Sequence, residues 1–183
     1  MYDKYANIPI EIKEMHLAKV RDYVDGLYEK PELQQLFIEM TLNCNEHCRH
    51  CGSKCGDLKM QDQLTDEEIL NFLADLKTKV EKLPFLNVTG GEPTLRPNFI
   101  ELMHKISEMG YYWGMTTNGT LIQDTEMIRK LKYAGMKTVS VSIDGLEETH
   151  NWFRQSPTGY EKAMRAVDLL VDAGLYNVMV TTV

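Results

Sequence analysis

Outside the stretch from residue 44 to residue 55, this chain of 183 residues has no cysteine. Disulfides confined to that stretch would cross-link almost nothing, so a disulfide-built secreted domain is excluded and a reducing cytoplasm is the expected setting. The chain also lacks any apolar run near the ~20 residues that span a bilayer, so no membrane partner is expected. Its opening residues, MYDKYANIPIEIKEMHLAK, contain no apolar segment of the signal-peptide kind. Basic runs are missing too, and the net charge is −7, so a nucleic-acid partner is not expected. No segment is of low complexity. What remains is 43% hydrophobic and 26% charged, ordinary for a globular chain long enough to bury a sizeable core.

Strand and helix patterns alternate through most of the length. Strands are predicted at Leu36–Thr41, Phe85–Thr89, Tyr112–Thr117, Thr138–Ile143 and Asn177–Val183. Between them, Asp66–Leu83 carries Ile69, Leu70, Leu73, Leu76, Val80 and Leu83 at the spacing of one buried helical face. Thr65 with Glu68 reads as a capping box, as does Thr158 with Glu161, and Pro97 suits the first turn of a helix. Gly110, Gly135 and Gly174 stand where helices end and the next strand begins. Such βα repeats predict a parallel sheet. Residues 1–33, with a helix over Ile8–Lys30, read as an extension before a core domain at 34–183.

One connection breaks the rhythm. The stretch from Cys44 to Leu64 is far longer than the ~2–6 residues of an ordinary βα loop, and it holds every cysteine. Within it, Cys44, Cys48 and Cys51 form the string CNEHCRHC, spaced C-x3-C-x2-C. Three thiols that close can grip one metal centre. A four-iron cube with three protein thiolates leaves one iron open to another ligand. A structural zinc site completed by Cys55, His47 or His50 is also within the chemistry of these residues.

The other polar motifs fall at strand ends. Gly90-Gly91-Glu92-Pro93 follows the second strand, Thr117-Asn118-Gly119 the third, and Ser142-Ile143-Asp144-Gly145 ends the fourth. In parallel α/β folds that edge is where sites are built. In isolation, GGEP is a turn, Asn-Gly a hairpin turn, and Asp144-Gly145 an Asx turn.

CNEHCRHC resembles the cluster loop of radical S-adenosylmethionine (radical SAM) enzymes, with His50 at the position that is usually aromatic. The resemblance implies a partial parallel (β/α) barrel of the α/β class. It implies a 4Fe-4S cluster on Cys44, Cys48 and Cys51, whose open iron takes S-adenosylmethionine. Reductive cleavage would give a 5'-deoxyadenosyl radical that abstracts hydrogen from substrate. Gly90, Gly91 and Glu92 resemble the motif that holds the SAM ammonium, and Asn118 and Ser142 match positions lining the SAM pocket. Arg154, in HNWFRQ, resembles an arginine of members that modify peptides and proteins, where a guanidinium suits the SAM carboxylate. The style is similar to members bearing a C-terminal SPASM domain. Such a family core has six βα units, whereas these residues end inside the fifth, so the expected barrel is incomplete here. Substrate contacts and any auxiliary clusters are expected beyond it. The implied partners are a peptide, protein or small-molecule substrate and an electron donor such as flavodoxin or ferredoxin. Cys55, His47 and His50 are expected not to be ligands.

Overall fold

The structure is a computed structural model in which residues 8–56, 63–175 and 178–181 are described. The chain divides into two compact units between Leu33 and Gln34. In the first unit the described helix is α1 (Ile10–Glu29). The second alternates β1 (Gln35–Glu39), α2 (Asp66–Lys79), β2 (Phe85–Thr89), α3 (Phe99–Glu108), β3 (Trp113–Thr117), α4 (Thr125–Tyr133), β4 (Thr138–Ser142), α5 (Glu147–Arg154), α6 (Gly159–Asp172) and β5 (Val178–Thr181). A 3-10 turn, Pro93–Leu95, lies between β2 and α3.

All neighbouring strands pair in parallel, in the order β1-β2-β3-β4-β5. Sequential order without reversal is the wall of a barrel; a doubly wound sheet would change direction at a switch point. The fold is therefore the partial parallel (β/α) barrel expected. Leu36, Leu86 and Trp113 stand in register on one face, as do Ile38, Val88, Met115 and Val139. That face packs on the helices, against Leu73 of α2, Ile106 of α3, Leu131 of α4 and Leu170 of α6. The opposite face carries Phe37, Asn87, Gly114, Thr116 and Ser140. Phe37 there is 67% exposed, so this concave side is not part of the core.

Local chemistry explains the boundaries. Thr65 caps α2, accepting from Glu68 N at 3.2 Å while its own N–H donates to Glu68 Oε2 at 2.7 Å. The helix stops at Lys79 instead of running to Leu83. Val80 is already extended, and Leu83, preceding Pro84, is biased away from helical geometry. The second predicted capping box does not form: Thr158 makes no side-chain cap bond. Asn151 Oδ1 accepts from Tyr160 N at 2.9 Å and caps α6 from the preceding helix. Pro97 lies outside α3, in the turn before it, and Asn98 takes the N-cap position with φ 56°. The fifth predicted strand lies partly outside the described residues.

Arg96 fastens the base of the long connection after β1. Its Nη1 donates to Met40 O at 2.6 Å, and Nη2 donates to Leu64 O and Asp66 Oδ1, both at 2.7 Å. One buried guanidinium thus ties the exit of β1 to the entry of α2. Replacing it leaves carbonyls without donors. Arg96→Ala is expected to destabilise the apoprotein by about 2–3 kcal/mol. The thermal midpoint followed by circular dichroism should fall by roughly 5–10 °C.

Candidate cofactor site

The ends of β2, β3 and β4, the cysteine connection after β1 and Arg154 line a pocket of about 230 Å³. Cys44, Cys48 and Cys51 all line it, as do Gly90, Gly91, Asn118, Ser142 and Arg154. Eight of the nine site residues expected from sequence therefore share one wall. Cys55, Glu46 and His50 line it as well.

The ninth, Glu92, lies behind the wall with 0% exposure. Its carboxylate accepts from Thr94 Oγ1 at 2.6 Å, Thr117 Oγ1 at 2.9 Å and Asn118 N at 2.9 Å. Burial pushes its pKa up, and these donors pull it back. In this structure the side chain fastens the turn after β2 to the end of β3, and the pocket meets this motif through its glycines.

Those glycines are required by the chain itself. Gly91 N donates to Thr41 O and Glu92 N to Asn43 O, both at 2.7 Å. A Cβ on Gly90 would sit 2.3 Å from Thr41 O, and one on Gly91 would sit 2.1 Å from Asn43 O. Gly90 also has φ +139°, a region that disfavours other residues. The turn after β2 thus lies backbone to backbone against the start of the cysteine connection, and Cys44 follows directly.

Asn118 completes this side. Its Nδ2 donates to Asn45 Oδ1 at 2.8 Å and lies 3.9 Å from Cys44 Sγ. Its Oδ1 accepts from Thr120 N at 2.9 Å. Near the other end of the cysteine string, Cys55 N donates to Cys51 Sγ at 3.4 Å. Burial raises the pKa of Cys44, and pushes Cys48 and Cys55 up to about 11. Cys44, Cys48 and Cys55 are therefore held as protonated thiols, and binding iron would displace the protons of Cys44 and Cys48.

The far side of the cysteine string is held by the end of α5. Arg49 N donates to Phe153 O at 2.7 Å, and Gln155 Nε2 donates to His47 O. The Arg49 guanidinium lies 4.7 Å over the Trp152 ring, and His50 meets Phe153 edge to face at 5.3 Å. Arg154 Nε donates to Asp144 Oδ2 at 2.7 Å and Nη1 to Glu46 Oε2 at 3.1 Å. Glu46, Asp144 and Thr117 are not among the nine residues expected from sequence. The available signal for Glu46 is a charge inside a cysteine string; Thr117 offers none beyond its place before Asn118.

The donor set fits an iron-sulfur cluster bearing three protein thiolates. The three cysteines share one pocket, amide donors face two of the sulfurs, and glycine backbone forms the adjoining wall. Among the described residues no three His, Cys, Asp or Glu side chains are gathered as a site for one metal ion.

Comparison with known proteins agrees. The pattern of the Radical SAM superfamily matches residues 38–183. The Fe-coproporphyrin III synthase of Methanosarcina barkeri is 36% identical over 148 residues, covering 81% of this chain and 36% of that protein. An AdoMet-dependent heme synthase of the same organism is 34% identical, covering 79% of this chain and 41% of that one. Among solved structures, a histidine-tagged anSMEcpe with bound AdoMet superposes with a TM-score of 0.67 at 25% identity, covering 83% of this chain and 43% of that one. The chain thus spans well under half the length of these relatives.

The buried Glu92 network yields a stability test. Thr117→Val keeps the shape but removes the hydroxyl that donates to Glu92 and accepts from Gly119 N at 3.0 Å. Urea unfolding of the apoprotein should show a loss of about 2–3 kcal/mol, the scale of a hydrogen bond to a charged group.

Proposed function

Because this chain belongs to the radical SAM superfamily, we propose that it is the core of an enzyme holding a 4Fe-4S cluster on Cys44, Cys48 and Cys51. S-adenosylmethionine would lie along Gly90, Gly91, the Glu92 turn, Asn118, Ser142 and Arg154. The carrying observation is that residues from the ends of β2, β3 and β4, the cysteine string and Arg154 line a single pocket. When bound, cluster and SAM would supply reductive cleavage of the sulfonium, with one electron from a flavodoxin- or ferredoxin-type donor, and so the means to take a hydrogen atom from substrate.

The chain's own residues do the holding. Asn118 offers its amide beside Cys44, and Cys55 offers its backbone N–H to Cys51. Gly90 and Gly91 line the pocket and let the turn after β2 lie against the start of the cysteine connection, so that wall and thiols are held together. Arg154 offers guanidinium N–H groups to a carboxylate. The polar concave face, with Asn87, Thr116 and Ser140, leads from this rim and suits a substrate with amide or hydroxyl groups.

The substrate we propose is a peptide or protein that undergoes modification. The anSMEcpe structures, at 25–26% identity, include complexes with AdoMet and the Cp18Cys or Kp18Cys peptide. A second reading, cofactor biosynthesis on a small molecule, is favoured by the heme-synthase and GTP 3',8-cyclase names of the curated relatives. A cytoplasmic setting and a flavodoxin or ferredoxin donor complete the proposal. Incubating the intact, reduced protein with SAM and either Fe-coproporphyrin III or peptides encoded beside its gene distinguishes the two substrate readings. The true class raises 5'-deoxyadenosine above the uncoupled background and changes mass.

Ligand assignment has its own test. Cys44→Ala, Cys48→Ala and Cys51→Ala should each lose the cluster and all SAM cleavage after anaerobic reconstitution. Cys55→Ala should keep both. Iron and sulfide content with 5'-deoxyadenosine by chromatography read the result, and a cluster surviving in Cys48→Ala contradicts the assignment.

A further inference from the structure

Of the five unpartnered buried polar atoms among the described residues, four gather in one place and the fifth is Ser140 Oγ on β4. Among the described residues, Glu46 Oε1, His50 Nδ1, Asp144 Oδ1 and His150 Nε2 are buried without a hydrogen-bond partner. The four residues surround Arg154. Asp144 binds its Nε, Glu46 binds its Nη1, His50 Nε2 stands 3.7 Å from Asp144 Oδ2, and His150 Nδ1 accepts from Asp144 N at 3.2 Å. Nη2 has no partner among the described residues, and Arg154 lines the pocket.

We propose that Glu46 is a positioning residue that, with Asp144, clamps the Arg154 guanidinium so that its remaining N–H edge faces the pocket and receives a ligand carboxylate. The inference rests on the pocket being the SAM site.

Three observations carry it. First, Glu46 is only 4% exposed and one of its oxygens is unpartnered. A buried ion pair stabilises a fold no better than apolar packing of the same volume, so its retention here calls for a geometric role. Second, the pair is not needed to attach the cysteine string to α5. Arg49 N to Phe153 O, Gln155 to His47 O and the Arg49–Trp152 stack already do so. Third, Glu46 is itself seated. A Cβ on Gly159 would come 3.1 Å from its Oε1, so the carboxylate sits at the first residue of α6, the end where the helix dipole favours negative charge. An arginine alone at a pocket rim samples many rotamers. One bonded at Nε from β4's end and at Nη1 from the cysteine string has its plane fixed, as outer groups fix metal ligands.

The test is calorimetric titration of the intact, cluster-loaded protein with SAM and with decarboxylated SAM, which lacks only the carboxylate. Glu46→Ala should weaken SAM about tenfold and leave decarboxylated SAM nearly unchanged. Glu46→Gln, whose amide oxygen can accept from Nη1, should keep the wild-type preference, and Asp144→Ala should lower it. Equal losses for both ligands in Glu46→Ala, or no loss, would overturn the proposal. Arg154→Ala separates this failure from failure of the site reading. Part of the preference comes from the open iron, which the carboxylate also reaches, so the readout is a change in the preference. If Arg154→Ala lowers the preference and Glu46→Ala does not, only the role of Glu46 falls. If Arg154→Ala leaves the preference unchanged, Arg154 does not receive the carboxylate and the reading beneath the proposal falls too.

Discussion

Three thiols must be kept in a fixed relation on a stretch that has no helix or strand to hold them, and the rest of the domain is arranged around that need. Beyond its own turn, in which Cys51 N donates to Cys48 O at 3.1 Å, the cysteine string is held from outside itself. At its base, Arg96 bonds both Met40 O and Leu64 O. Along one side, the Gly90-Gly91 turn lies against Thr41 and Asn43 at contact distances only glycine allows. Along the other, the end of α5 bonds His47, Arg49 and Glu46. Each attachment joins segments far apart in the chain, so the site exists only when the sheet is assembled.

The same arrangement concentrates groups that are costly to bury. Glu46, Glu92 and Asp144 lie within a short reach of the thiols, with Arg154 as the cation bonded to two of them. Burial pushes Glu46 and Glu92 up, and hydrogen bonds from Arg154, Thr94, Asn118 and Thr117 offset part of that. A domain selected for stability alone would fill this region with apolar side chains. Instead its core is placed on the outer face of the sheet, against α2, α3, α4 and α6, and the strand ends are left polar. Stability comes from one face and chemistry from the rim.

The order of strands and helices was legible because apolar spacing and glycine stops are local signals. The cysteine string, GGE and Asn118 were legible because their residue types and strand-end positions coincide. Less legible was what each side chain does there. Glu92 reads as a ligand contact in sequence, yet its carboxylate turns inward onto Thr94, Thr117 and Asn118. Spacing within a motif says nothing about which way a carboxylate faces. Glu46 and Arg96 act through partners 108 and 56 residues away, respectively, and periodicity carries no record of such pairs. The missing cap at Thr158 has the same origin, because its work is done by Asn151 from another helix.

Electron paramagnetic resonance on the anaerobically reconstituted, reduced protein, recorded with and without S-adenosylmethionine, tests the central claim most directly. A reduced 4Fe-4S signal that changes when SAM is added is expected, as an open iron on a three-thiolate cluster requires. A silent, colourless protein that binds stoichiometric zinc would contradict it, and so would a cluster signal indifferent to SAM.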